Sequence, residues 1–299
     1  DIKVLGDFKT NEDYMPYFHS LKKNCVTGYT YASIVGGQTA NTEFELLTGN
    51  TLGFLSAGTT AFQLYIHGQM PSLVSNLKAE GYSGNKAMHP FNPYNYNRPA
   101  VYKDFGFTDF IDKFDFPKNV KRVREYISDE ANVDRIISEY EKNRKKTDQP
   151  FYMYNMTIQN HSPYDKDAAN FKQPIKIESS KYDAEANRYL NLIKYSDDSL
   201  KQLTGYFEKC KEPTIILFLG DHQPRLTDEF MNKITNGQYQ TWSSEQMMKR
   251  YQVPFVIWAN YDIKEQHIEK TSMNYIQSIL TKTAGVKMTG YQRFLNEVR

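Results

Sequence analysis

Thr214-Ile215-Ile216-Leu217-Phe218-Leu219-Gly220-Asp221-His222-Gln223-Pro224 is the stretch whose reading decides the fold. Its five unbroken apolar residues, Ile215 to Leu219, read as a strand buried on both faces, which requires a sheet covered by helices on either side. The run stops abruptly at Gly-Asp-His. The carboxyl ends of buried strands are where α/β folds place their chemistry, and Asp and His are ligands for zinc, manganese or magnesium-like ions. An Asp-His pair also serves as a plain turn, so Asp221 and His222 enter as a candidate ligand set rather than a settled one.

The second decisive stretch lies far upstream, at Gly36-Gly37-Gln38-Thr39-Ala40-Asn41-Thr42-Glu43-Phe44-Glu45-Leu46-Leu47-Thr48-Gly49. It reads as a tight loop opening into a helix that Gly49 stops. A helix starting at Thr39 aims its free N–H groups and the positive end of its dipole at the hydroxyl, an environment suited to phosphate. Thr39 is therefore either a nucleophile beside an anion site or simply the helix cap.

Working outward, further strands are expected at Cys25 to Val35, Tyr82 to Met88, Phe151 to Ile158 and Val253 to Trp258, the last near an edge or a strand start because of Pro254. Helices are expected at Tyr14 to Leu21, Pro71 to Gly81, Ser128 to Lys146, Ala184 to Cys210 and Thr271 to Thr283. Residues 50–70 read as loop, 102–116 as an aromatic packing segment, and the stretch before Ala184 as polar loop. The alternation predicts an α/β protein with a doubly wound, mixed and mainly parallel sheet and helices on both faces. At 299 residues the chain can bury a large core as one domain.

Two other segments carry functional side chains. His89-Pro90-Phe91-Asn92-Pro93-Tyr94-Asn95-Tyr96-Asn97 is too rich in Pro, Asn and aromatics for regular structure and ends at Arg98. A guanidinium can grip phosphate bidentately, an imidazole can donate to a phosphoryl oxygen, and Tyr96 can pack on a glycerol or sugar face. His161, in Gln159-Asn160-His161, falls at a strand end as Asp221 does, and a group titrating near neutrality suits proton transfer there.

Composition excludes more than it assigns. A net charge of +2, with 24% charged residues and no long basic run, gives nucleic acid no support. The 23 Tyr and 18 Phe suit polar-lipid or sugar contacts but serve equally as core material. Cys25 and Cys210 allow one bridge at most, and no stretch reaches the ~18 apolar residues of a membrane span.

Gly37-Gln38-Thr39-Ala40-Asn41-Thr42-Glu43-Phe44, the run from His89 to Arg98, Asn160-His161-Ser162-Pro163-Tyr164 and Gly220-Asp221-His222, in that order, resemble the lipoteichoic acid synthase family. These are phosphoglycerol transferases of the alkaline phosphatase and sulfatase superfamily. The resemblance implies Thr39 as nucleophile, a divalent metal held by Thr39, Asp221 and His222, and a glycerol-phosphate pocket from His89, Tyr96, Asn97, Arg98 and His161. Manganese is the metal it points to first, with magnesium or zinc as alternatives. It implies one sulfatase-like catalytic domain over residues 1–299 and the ectodomain of a membrane protein on the outer face of a Gram-positive cell. In that family a strand ending in a Glu ligand comes before the segment matched by Asp1 to Gly6, so that strand and its Glu are expected to be missing here.

The expected reaction is transfer of glycerol phosphate from phosphatidylglycerol, through a phosphoglycerol-threonine intermediate, to a glycolipid or polyglycerolphosphate acceptor. Sulfatases need a Cys/Ser-x-Pro-x-Arg motif, which the chain lacks. Two alternatives follow: a phosphodiesterase using the same threonine, or a metal-free phosphoglycerol-binding module.

Overall fold

The computed structural model describes residues 1–178, 184–237 and 239–299. Among the described residues nine strands are formed: β1 (Cys25–Tyr31), β2 (Ser83–Met88), β3 (Asp109–Ile111), β4 (Arg122–Val123), β5 (Tyr126–Ile127), β6 (Phe151–Asn155), β7 (Ile215–Leu219), β8 (Gln252–Ala259) and β9 (Gln266–Ser272). The helices are α1 (Pro16–Ser20), α2 (Thr39–Thr48), α3 (Ala61–Leu64), α4 (Leu73–Ala79), α5 (Arg98–Phe105), α6 (Asp129–Arg144), α7 (Ala184–Phe207), α8 (Asp228–Ile234), α9 (Ser244–Met248), α10 (Met273–Thr283) and α11 (Gly290–Val298). The polar stretch expected before Ala184 falls partly outside the described residues.

The architecture is a mixed, mainly parallel α/β fold, with its strands in two principal sheets. One runs β7-β8-β1-β9 and the other β3-β2-β6, while β4 and β5 form a small hairpin. Parallel pairs join β1 to β9, β2 to β3 and β2 to β6. The pairs β1 to β8 and β7 to β8 are antiparallel.

Why helices cover both faces is visible in β8, an apolar run without polar alternation. Val253, Phe255 and Ile257 join the core with Phe44 and Leu47 of α2 and Ile276 and Ile279 of α10. Val256 and Trp258 point the other way, onto Tyr140 of α6 and Leu200 and Phe207 of α7. A third apolar cluster packs Ile2, Leu5 and Tyr14 against Tyr189 and Leu190 of α7 and Phe230 of α8.

Local signals placed the helices. Gly49 closes α2 in the left-handed region at φ 76°, its N–H donating to the Glu45 carbonyl. A Cβ there would meet Gln277 at 2.5 Å. Ser128 caps α6 by accepting from the Ala131 N–H, with Asp129 and Glu130 in the first turn, where the dipole favours acids.

Four expectations need correction. Pro254 sits in an interior strand, paired with both β1 and β7, not at an edge. Its carbonyl accepts from Gly220 N–H at 3.1 Å just past the last β7 pair, so the ring occupies a place where the ladder to β7 is already ending. Residues 98–105 form α5 rather than loop and packing segment; β9 carries too few apolar positions to announce itself, and α11 is absent from the expected helices although Tyr291, Phe294, Leu295 and Val298 fall at helical spacing behind the Thr289 cap. Apart from these, Cys25 and Cys210, which the sequence permits but does not require to pair, are both free thiols.

The fourth correction concerns β7. All five of its residues are half-buried rather than fully buried. Among the described residues it pairs only with β8, and β6 only with β2, so the facing edges of β6 and β7 are unpaired with each other. Between them runs a cavity of about 900 Å³. Val133, Ile136 and Tyr140 of α6 and Leu200 and Leu203 of α7 wall it on one side, and Leu46, Leu47, Leu73 and Leu77 on the other. The cavity opens among Thr39, His89, His161, Asp221 and His222.

Candidate active site

Thr39 is not the cap of α2. Gln38 holds the cap position in the left-handed conformation, φ 63°, with no side-chain cap bond, and Thr39 is the first helical residue. Its Oγ1 is thereby free to donate to Asp221 Oδ2 at 2.8 Å, and lies 3.4 Å from His222 Nε2. Asp221 Oδ2 and His222 Nε2 are 3.2 Å apart. Residues 182 and 183 positions apart in sequence therefore converge on one hydroxyl.

Backbone pairing holds that convergence. The Gly36 N–H donates to the Gln223 carbonyl at 2.9 Å, and Val35 bridges Gln223. Thr42, one turn into α2, donates from Oγ1 to the Asp221 carbonyl at 2.8 Å. Gly36 has φ 69°, and a Cβ there would sit 2.9 Å from Arg225 Cβ, so the glycine is required by both conformation and space. Asn41 ties residues 59–61 to the helix start, donating to the Thr59 carbonyl at 2.7 Å and accepting from Ala61 N–H at 2.9 Å.

His89 and His161 also reach the cavity wall, each with a defined tautomer. Nδ1 of His89 faces the Met156 carbonyl at 2.9 Å, and Nδ1 of His161 faces the Ser162 carbonyl at 2.6 Å. A carbonyl only accepts, so both Nδ1 atoms carry the proton, and the buried His89 ring, when neutral, presents Nε2 as an acceptor. Burial, reinforced by the nearby Arg98 charge, pushes the His89 pKa down to about 4. In that tautomer His89 Nε2 accepts rather than donates, so it does not make the donation to a phosphoryl oxygen expected from sequence. His161 is exposed and stacks on Phe91 with ring centroids 6.2 Å apart.

Arg98 and Asn97 stand differently from expectation. The Arg98 guanidinium is directed at Glu43 Oε1, through Nε at 3.1 Å and Nη2 at 2.6 Å. Only Nη1 is left, reaching toward the Asn95 carbonyl at 3.4 Å, so bidentate phosphate binding is not available in this arrangement. Tyr102 donates to the other Glu43 oxygen, and Tyr96 lies against the guanidinium at 5.1 Å. Asn97 is exposed and is not among the residues lining the cavity, whereas Asn95, Tyr96 and Arg98 are.

Sequence reasoning missed three supporting groups. Arg124, in the turn of the β4-β5 hairpin, donates to the carbonyls of Gln159, His161 and Pro163 at 2.8, 2.7 and 2.7 Å. Phe91 backs His161, and Asp129 on the cavity wall is pushed up to about 6 by burial. The only sequence hint for Arg124 was a basic residue in a short alternating stretch, which nothing local distinguishes from a solvated charge.

As a metal centre the cluster offers a carboxylate, an imidazole and a hydroxyl within hydrogen-bond reach of one another. That donor set suits a divalent ion. No third His, Cys, Asp or Glu joins Asp221 and His222 among the described residues, so the site falls short of a full protein ligand set.

The helix-covered α/β fold thus gathers a hydroxyl, a carboxylate and an imidazole at a strand end and a helix N-terminus. A family model described as Sulfatase matches residues 4–286, and the chain belongs to that family. A Rhizobium meliloti protein named for cyclic beta-1,2-glucan modification is 33% identical over 98% of this chain and 45% of its own length. Lipoteichoic acid synthase of Staphylococcus aureus is 28% identical over 62% of this chain and 28% of its own length. The chain therefore spans less than half of each of these relatives. The Streptococcus pyogenes phosphoglycerol transferase GacH, solved in complex with sn-glycerol-1-phosphate, shares the fold with a TM-score of 0.82, covering 100% of this chain and 75% of that one at 20% identity. Among the described residues no helix is long and apolar enough to cross a membrane.

Proposed function

We propose that this chain is the catalytic domain of a metal-dependent phosphoglycerol transferase in which Thr39 is the nucleophile. The observation that carries the reading is the 2.8 Å hydrogen bond from Thr39 Oγ1 to Asp221 Oδ2 at the start of α2. A divalent cation, manganese first in our reading, would be held by Asp221, His222 and Thr39 and would supply Lewis-acid stabilisation and a lowered hydroxyl pKa.

The chain's own residues do the rest. Asp221 orients the Thr39 hydroxyl, and the unpaired N–H groups at the start of α2 face the phosphoryl group. Thr39 Oγ1 attacks the phosphorus of phosphatidylglycerol as its proton passes to Asp221 Oδ2; the Thr–O–P bond forms, the bond to diacylglycerol breaks, and the departing oxygen takes a proton from the His161 imidazolium. His161 Nε2 is the candidate to manage that proton, while His89 Nε2 accepts from a glycerol hydroxyl and Tyr96 packs on its carbons. An acceptor hydroxyl then displaces Thr39.

The acceptor in this reading is a glycolipid or a growing polyglycerolphosphate chain at the outer face of a cell membrane. The relative named for glucan modification supports a carbohydrate hydroxyl as a second acceptor class. The same reading places a further strand, ending in a Glu ligand, between β6 and β7. The cavity along their unpaired edges and the two-residue His/Asp ligand set support it.

Diacylglycerol release from phosphatidylglycerol, with added manganese, tests the proposal. Wild type is expected to turn over and Thr39→Ala to lose turnover while keeping its melting curve. A variant as active as wild type removes Thr39 from the mechanism. Release that continues unchanged without acceptor marks a phosphodiesterase instead.

A further inference from the structure

Large hydrophobic side chains are unusually exposed around the mouth of the site. Leu64 is 58% exposed, Tyr65 49%, Tyr94 77% and Phe114 73%. Ring and helix contacts join them into one rim. The helix α3, which ends at Leu64, packs on the short turn at Asn95–Asn97 that follows Tyr94. The same loop carries Phe91, whose ring lies 5.9 Å from Lys113 Nζ, and Lys113 also sits over its neighbour Phe114.

Charge around the rim is one-sided. From Leu46 to Leu77 the chain contains no Asp, Glu, Lys or Arg. On the other flank, Lys118 and Arg122 are exposed close after Phe114. Two acids of that flank are turned onto backbone, Asp112 accepting from Phe114 N–H at 2.7 Å and Asp115 from Asp112 N–H at 2.8 Å; Asp109 pairs with Lys86, and Glu125 is exposed.

We propose that the rim formed by Leu64, Tyr65, Tyr94 and Phe114, flanked by Lys118 and Arg122, docks this domain on an anionic phospholipid surface. Apolar and aromatic side chains entering the interface beside basic groups at headgroup level are the chemistry such a surface selects. A two-fold contact between copies would bring the basic flanks of both chains together, which disfavours self-association through this face. Phe91, Asn95 and Tyr96 belong to the rim loop and also line the cavity, so docking sets the site's mouth against the lipid plane. This inference deepens the transferase reading and rests on it for the lipid-linked donor, but not for the binding itself.

The test is co-sedimentation of the chain with phosphatidylcholine vesicles with and without phosphatidylserine, a lipid that is not the proposed donor. Binding is expected only with phosphatidylserine and is expected to weaken as salt rises. The combined Leu64→Ser, Tyr65→Ser, Tyr94→Ser and Phe114→Ser variant should partition roughly tenfold or more weakly. Its melting curve and its turnover of a water-soluble short-chain phosphatidylglycerol should be unchanged. Thr39→Ala should bind vesicles as wild type does, which separates docking from chemistry. Wild type left in the supernatant at low salt, a quadruple variant that binds undiminished, or a dimer that this variant abolishes would each overturn the proposal. Wild type that docks yet never turns over overturns the transferase reading alone.

Discussion

Glu43 Oε1 accepts from Arg98 Nη2 at 2.6 Å in a pocket where the side chains are 0% and 2% exposed. The pair stands one turn below Thr39 on α2 and pins the loop bearing Tyr96 to that helix. Two buried charges survive because each offsets the other's desolvation, and Tyr102 satisfies the second carboxylate oxygen. Glu43→Gln leaves the Arg98 cation buried without its counter-charge, and the cost is expected at about 3–5 kcal/mol in denaturant melts. A loss under ~1 kcal/mol would mean that water reaches the guanidinium.

Arg124 has a comparable structural task on the opposite wall. Its three carbonyl acceptors, on Gln159, His161 and Pro163, belong to one loop. Replacement by Ala strands those carbonyls and is expected to lower stability by roughly 2–4 kcal/mol. Because His161 moves with the loop, kcat should fall more than KM rises. Equal stability in Arg124→Ala and wild type would remove the clamp.

The buried imidazole of His89 makes a pH prediction. Its pKa falls from the ordinary 6.5 to about 4 on folding. The unfolded chain therefore binds the proton first as pH drops, so this contribution is full above pH 6.5 and lost progressively down to pH 4. The size is about 3 kcal/mol. Stability profiles of wild type and His89→Gln should diverge in that window, and parallel profiles would contradict the burial assigned to the ring.

Asp129 acts with the opposite sign. Burial raises its carboxyl from 3.8 to about 6, and its Oδ1 has no hydrogen-bond partner. The folded state holds the proton more tightly, so the carboxyl favours folding below pH 3.8, and that advantage disappears as pH rises to 6. Asp129→Asn retains an acceptor for Ser196 and should be more stable than wild type at neutral pH by about 2–3 kcal/mol. The gain should vanish toward pH 4; a variant less stable than wild type at pH 7 would show that the carboxylate is needed ionised.

Much of the site was legible because its signals are local. The apolar run before Asp221, the glycines before Thr39 and the Gly49 stop report backbone conformation through residue type alone, and all three appear where read. The role of Arg98 was not legible, because an arginine after an Asn-rich loop reads equally well as a phosphate grip or an ion-pair partner. The choice depends on a carboxylate 55 residues away.

By itself the sequence determined β1, β2, β6, β7 and β8, the helices α1, α2, α4, α6, α7 and α10, and which side chains stand at strand ends, since periodicity and turn chemistry act within a few residues. Only the tertiary structure decided that Thr39 meets Asp221 across 182 positions, that His89 is buried and neutral, and that β6 and β7 face each other across a cavity instead of a ladder. Those outcomes depend on burial and long-range pairing, where each group's energy is set by neighbours that no local stretch of the chain contains.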